Sequence, residues 1–263
     1  MKGKFYVLGT IIIIVFSVFA FSFAVGSLIR YETMSNHEGF SLIGFGKQDI
    51  DWEEGEYLDD LSEINYINIG AEKVEIKFDE KEAGVYLSDG LQKRVSDGEL
   101  EIVRKNDKIN YFREQEEKII LGSSKKFDRI KVDTVGGIIS GEVETSEFNL
   151  NGVGVQFKME LSADKLEING VGIESRLNSD YIRNFEINGL GINSNITTGQ
   201  TEMIEINGLG FNSNIKYIDT WEGSRDVVVS GMAGNVDLAY PAGNKGIINL
   251  SSDGLISSGI DKY

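Results

Sequence analysis

Apolar and polar positions alternate with a period of two through much of the chain beyond Leu61, as in Ile67-Asn68-Ile69, Val74-Glu75-Ile76-Lys77-Phe78 and Leu100-Glu101-Ile102-Val103. Alternation of this kind, rich in β-branched residues, predicts half-buried strands. No amphipathic helical pattern follows residue 30. Ahead of it, Phe5 to Ile29 carries no charge and includes Ile11-Ile12-Ile13-Ile14-Val15-Phe16. At about 1.5 Å per residue this run exceeds a hydrocarbon core of about 30 Å, which predicts a transmembrane helix over 5–29. Lys2 and Lys4 precede it, so the positive-inside rule puts residues 1–4 in the cytoplasm and the bulk of the chain outside, a single-pass protein of the cell membrane. A cleaved signal peptide is the alternative, with Ser22-Phe23-Ala24 as a small-x-small site, but the apolar run is longer than the usual signal core.

A repeat organises the rest. Phe148-Asn149-Leu150-Asn151-Gly152-Val153-Gly154-Val155 returns as Leu166-Glu167-Ile168-Asn169-Gly170-Val171-Gly172-Ile173, and again around Asn188-Gly189 and Asn207-Gly208. The asparagines recur at spacings of 18, 19 and 19 residues. Ile130-Lys131-Val132-Asp133 is a weaker copy upstream, and Val227-Val228-Val229-Ser230-Gly231 follows after a longer step that leaves room for a loop bearing Trp221. A fixed period marks units that complete their core only against their neighbours. Asn-Gly could close antiparallel hairpins, giving a meander or barrel. A parallel stack would instead set Asn151, Asn169, Asn188 and Asn207 above one another at about 4.8 Å, with Gly152, Gly170, Gly189 and Gly208 at the corners. Because a stack rewards like on like, the expectation is an all-β fold. Its architecture is a parallel β-solenoid, a single-stranded β-helix of about 18–19 residues per coil, preceded by one transmembrane helix. In each repeat a bend at the glycine, such as Gly189, turns Phe185 and Ile187, then Leu190, Ile192 and Ile196, into one core. The predicted divisions are a cytoplasmic tip (1–4), the membrane helix (5–29), an acidic juxtamembrane spacer (30–60) and the repeat domain (61–263).

This texture of short apolar-polar-apolar segments ending in Gly or Asn, from about Leu61 to Tyr263, resembles the bacterial putative adhesin family. The resemblance implies a single-stranded β-helix held outside the cell, as in membrane-anchored Gram-positive members, some encoded beside envelope-stress regulators. It carries no catalytic signature residues.

Composition narrows the chemistry. There is no Cys and one His, which excludes disulfide scaffolds, thiol nucleophiles and Cys or His metal sites. His37 lies in the spacer without a partner in view. The formal charge of −16 disfavours nucleic acid as a partner. The acidic spacer lacks a calcium-loop pattern, and the Gly-x-Gly pairs lack the Lys-Ser/Thr of a phosphate loop. A column of Glu167, Glu186 and Glu205 is predicted to face solvent and to discourage sideways strand pairing. Tyr217, Trp221 and Tyr240, in or near the longer turns, are the candidate ligand-contact aromatics, although core burial of at least two of them is the stronger expectation. No catalytic, cofactor-binding or metal residue is predicted, and no cofactor. The functional expectation is a non-enzymatic, membrane-anchored surface for binding or scaffolding in the cell envelope, with an unknown envelope or surface ligand. The bilayer is held through residues 5–29, and weak self-association runs through the C-terminal coil. The alternatives are an envelope-stress accessory protein acting on a membrane sensor and, further off, a polysaccharide-active β-helix enzyme.

Overall fold

The computed structural model describes residues 53–54, 61–82, 84–105 and 117–263. They form one eleven-stranded sheet. Its strands are β1 (Glu53–Glu54), β2 (Tyr66–Gly70), β3 (Val74–Asp79), β4 (Val85–Leu87), β5 (Leu91–Ser96), β6 (Glu99–Arg104) and β7 (Glu117–Gly122). Four longer ones follow: β8 (Phe127–Val171), β9 (Glu174–Tyr217), β10 (Ser224–Tyr240) and β11 (Ile247–Lys262).

The sheet is mixed, and this corrects the expectation of a parallel β-solenoid or β-helix from residue 61. β1 with β5, β5 with β6, and β4 with β7 run antiparallel, whereas β2, β3 and the long strands pair in parallel. The sheet curls nearly closed about one apolar core, as a barrel does. The physical reason is local. Asp97 and Gly98, with φ of 51° and 77°, make a two-residue turn that suits the strand twist and sends β6 back along β5, Ser96 facing Glu99.

The expected membrane helix, residues 5–29, lies outside the described residues, as do most of the spacer and His37. Among the described residues no helix is long and apolar enough to cross a membrane, so the single-pass location rests on nothing in the structure and is set aside.

A 45-residue strand such as β8 would stretch about 150 Å if straight, so it must bend. The bends fall at the glycine pairs. Gly191 has φ 67°, a left-handed backbone that only glycine adopts without strain. Gly189 is glycine for a different reason: a Cβ there would lie 1.9 Å from the carbonyl oxygen of Gly170 in the neighbouring strand. Inward residues then align in rows. Leu150, Ile168, Ile187, Ile206 and Val229 are each at most 1 % exposed. Full burial of such side chains contributes about 1.5–3 kcal/mol apiece before entropy is charged against it. Beyond the corner, Ile192 and Ile196 point inward, but Leu190 stays half-exposed, since the two-residue corner puts it on the rim. An aromatic run, Phe78 to Phe148 at 6.1 Å and Phe148 to Phe157 at 5.5 Å, edge to face, packs within this core.

Candidate functional site

The step from 18 to 19 residues in the repeat has a structural counterpart. β8 and β9 run in register from Gln156/Glu174 to Glu160/Asn178, and resume at Ala163/Ile182 with one residue more on β9. That extra residue is a β-bulge, a device that re-aims side chains and interrupts pairing. Beside it lies a half-open groove of about 330 Å³, at the lower end of the range for small-ligand sites. Its walls come from five stretches: Glu80 after β3, Ser123–Lys126 between β7 and β8, Glu142–Glu144, Glu160–Ser162, and Asn178–Asp180.

Strand alternation explains the lining. Glu142, Glu160 and Asp180 project outward, while Val143, Leu161 and Ser179 turn inward to form the floor. Ser123 and Ser179 are 8 % and 7 % exposed, and neither hydroxyl has a hydrogen-bond partner. A buried hydroxyl left unpaired costs about 1–3 kcal/mol, so a fold that keeps two of them beside one groove retains hydrogen-bonding capacity for something else.

Five carboxylates, Glu80, Glu142, Glu144, Glu160 and Asp180, share the groove with Lys125 and Lys126. Both lysines are already engaged. Lys126 lies 3.6 Å from Glu144 and 4.0 Å from Asp164, and Lys125 donates to the Ser62 carbonyl at 2.8 Å. No ion pair joins Glu80, Glu142, Glu160 or Asp180 to a described cation. The Glu142 carboxyl is held above the usual range, first by a hydrogen bond with the Glu80 carboxyl, then by burial and the charges of Glu80, Glu160 and Asp180.

A second polar feature is the face carrying the repeat asparagines. Asn151 donates to Asp133 at 2.7 Å, Asn169 to Asn151 at 3.1 Å, Asn188 to Asn169 at 2.9 Å and Asn207 to Asn188 at 3.0 Å. The other amide hydrogen of Asn169, Asn188 and Asn207 goes to Glu167, Glu186 and Glu205 respectively, at 2.7–2.8 Å. These carboxylates therefore lie along the face as acceptors, and Glu167, also bonded by Lys165 at 2.7 Å, is held below the usual carboxylate range chiefly by its bond from Asn169. Both amide hydrogens of Asn169, Asn188 and Asn207 are in use, which makes this face self-satisfied and stiff rather than receptive. Gly152, Gly170, Gly189 and Gly208 are the adjoining corner residues.

The aromatic candidates lie elsewhere. Tyr217 is fully buried, Trp221 is 8 % exposed and Tyr240 is partly buried against the core. Their rings touch, 5.1 Å from Tyr217 to Trp221 and 6.0 Å from Trp221 to Tyr240. The Arg225 guanidinium lies 5.0 Å from the Tyr217 ring and 4.3 Å from that of Trp221 while donating to the Gly199 carbonyl at 2.8 Å. Burial pushes the Tyr217 phenol up and the Arg225 guanidinium down. Two of the three rings are thus packing around a buried cation and offer no face to a sugar.

Among the described residues no group of three or more His, Cys, Asp or Glu is placed to hold a metal ion. The groove's residues come from separate parts of the chain, and the sequence reading passed over them. Two signals were present: Glu142 and Glu160 share the 18-residue step, and the repeat lengthens just after them.

No protein-family model matches the chain, and no curated protein matches its sequence. Solved structures do. A putative adhesin from Bacteroides fragilis superposes with a TM-score of 0.50 at 16% identity, covering 79% of this chain and 95% of that one. The likeness is one of fold. A putative adhesin from Parabacteroides merdae (TM-score 0.42, 17% identity, 80% of this chain and 97% of that one) is more distant. So is a protein from Parabacteroides distasonis described as a putative lipid binding protein (0.39, 18%, 79% and 95%).

Proposed function

We propose that the chain is a non-enzymatic binding protein of the cell surface that takes its ligand in the bulge groove and uses the stacked strands as a rigid frame. The observation that carries this reading is the pair of buried, unpartnered hydroxyls, Ser123 and Ser179, beside a groove of ligand size. Catalysis needs a nucleophile paired with an oriented base, or an acid and a base with separated environments. The groove's raised carboxyl, Glu142, is instead held up by a like group, Glu80, which suits holding a ligand more than turning it over. The adhesin name of the Bacteroides fragilis neighbour accords with a surface binding role. The test is an array of envelope glycans and lipids probed with the full chain and with Glu160→Gln. Ligands retained intact, and lost from the variant, are the expected result. Cleaved products, or retention indifferent to the variant, would contradict it.

A second contact, between copies of this chain, is favoured by the free edge of β11. Among the described residues that strand pairs with β10 alone, and Ile247, Leu255 and Ile260 are 63 %, 77 % and 49 % exposed along it. An open edge with apolar side chains templates pairing with a like strand. Between residues 247 and 262 the formal charges are Asp253, Asp261 and Lys262, so this end escapes most of the −16 that keeps copies apart. Sedimentation at high salt, where charge is screened, should show association that Leu255→Lys weakens. A strictly monomeric chain at high concentration and high salt would remove the idea.

A further inference from the structure

We infer that the groove selects a polyhydroxylated ligand bearing an ammonium group, of the amino-sugar type, an inference that rests on the groove being the binding site. Three features of the lining lead there. First, the excess of carboxylates over ammoniums is not neutralised from within, since Lys126 is committed to Glu144 and Asp164 and Lys125 to the Ser62 carbonyl and the Asn65 amide oxygen. A cation is therefore the complementary guest.

Second, the cation is an extended organic one. A bare divalent ion needs several oxygens converging within about 2.6 Å, and no described carboxylate group converges in that way. The acids are strung out instead, Glu142 and Glu160 one repeat apart on β8 and Asp180 on β9 beyond the bulge, and the space is far larger than one ion. An ammonium group, with three donors and no demand for fixed coordination, can settle between the Glu80 and Glu142 carboxyls and donate to both.

Third, the floor is hydroxylic. The unpaired Ser123 and Ser179 hydroxyls, buried just beneath the groove, and the Asn178 amide on its wall can each donate and accept, which matches sugar hydroxyls and is wasted on an alkyl amine. The bulge is what provides this. It opens the pairing between Glu160/Asn178 and Ala163/Ile182, and Ser179 falls in the opened stretch.

The experiment is calorimetric titration of the full chain with a glucosamine trisaccharide and with its N-acetylated counterpart, two probes of one backbone that differ in the ammonium group. The glucosamine oligomer should bind at one site, at least about ten-fold more tightly than the acetylated one. Glu160→Gln and Ser179→Ala should each weaken it by roughly ten-fold, the second without changing charge. Glu222→Gln with Asp253→Asn, which removes two charges elsewhere on the surface, should leave it unchanged. Circular dichroism melting confirms that each variant folds. Equal binding of both oligomers would overturn the inference, as would a loss in the distant double variant matching that of Glu160→Gln, the mark of diffuse attraction to a chain of charge −16. If neither oligomer binds while array ligands still depend on Glu160, the ligand class is wrong and the groove as binding site stands. If array binding is also indifferent to Glu160, both readings fall.

Discussion

Asn188 Nδ2 lies 2.9 Å from Asn169 Oδ1, and the same nitrogen reaches Glu186 at 2.7 Å, so one amide bonds both along the stack and within its own strand. Removing it leaves partners on three sides. Asn188→Ala is expected to cost about 1–3 kcal/mol, since the Asn169 oxygen and one Asn207 hydrogen lose their partner in a half-buried setting. Asn214→Ala breaks an exposed amide pair of similar length, 3.0 Å to Asn195, and should cost less, because water takes over. Urea unfolding of the two variants side by side checks the order.

The two glycine positions of a corner should respond differently to alanine. At Gly189 the new methyl meets a backbone carbonyl at 1.9 Å, and strand spacing must open to admit it. At Gly210 nothing lies within 4 Å, so the cost is only that of a left-handed backbone, about 1–2 kcal/mol. Gly189→Ala is expected to unfold at markedly lower denaturant than Gly210→Ala. Equal midpoints would mean that the strands are not packed as closely as the Gly170 carbonyl contact requires.

Glu142 and Glu167 titrate in opposite directions, and their effects on stability differ in sign. The folded state holds the Glu142 proton more tightly than the unfolded chain does, so stability falls as pH rises from the ordinary carboxylate range through the raised value. Glu142→Gln should therefore stabilise the protein at pH 7 and make little difference near pH 3.5. Glu167 is held low by Asn169 and Lys165, so its contribution is present above the ordinary carboxylate pKa and lost as pH falls through the depressed one. Glu167→Gln should destabilise at pH 7, with the difference vanishing in acid. Melting temperatures of both variants against pH decide this.

Trp221 closes the aromatic cluster over Arg225, and a Cβ at Gly246 would sit 2.2 Å from its indole nitrogen. Trp221→Ala is expected to cost about 3–5 kcal/mol, as for other large core truncations. Binding by the protein that remains folded should be unchanged, which separates this cluster from the groove.

How much of this is visible in the sequence depends on the range of the interactions. The period-two burial of Ile67 and Ile69, or of Val74, Ile76 and Phe78, follows from side chains alternating across a strand, a property of neighbours in the chain. The repeat spacing is likewise printed in the sequence, and the contact of the Gly189 corner with the Gly170 carbonyl is its structural counterpart. The antiparallel part is not legible in the Asn-Gly pairs, which here sit at stacked corners, while the hairpin is made by Asp97-Gly98. The groove was missed because Glu80, Ser123, Glu142, Glu160 and Ser179 meet only after the sheet has curled. Nothing in a local pattern distinguishes an outward Glu over a groove from one over open water. Burial of at least two of the three aromatic candidates is what their large apolar rings lead one to expect. A turn position suggests exposure, but Tyr217 ends an inward row of β9 and is fully buried.

The central claim is that the bulge groove is where this protein binds. Amide hydrogen exchange of the full chain, with and without an array ligand, tests it most directly. The account predicts slowed exchange in the segments 123–126, 142–144, 160–162 and 178–180, with the Asn face and the Trp221 cluster unchanged. Protection confined to the stretches 186–188 and 205–207, or to 217–225, with the four groove segments unaffected, would contradict it.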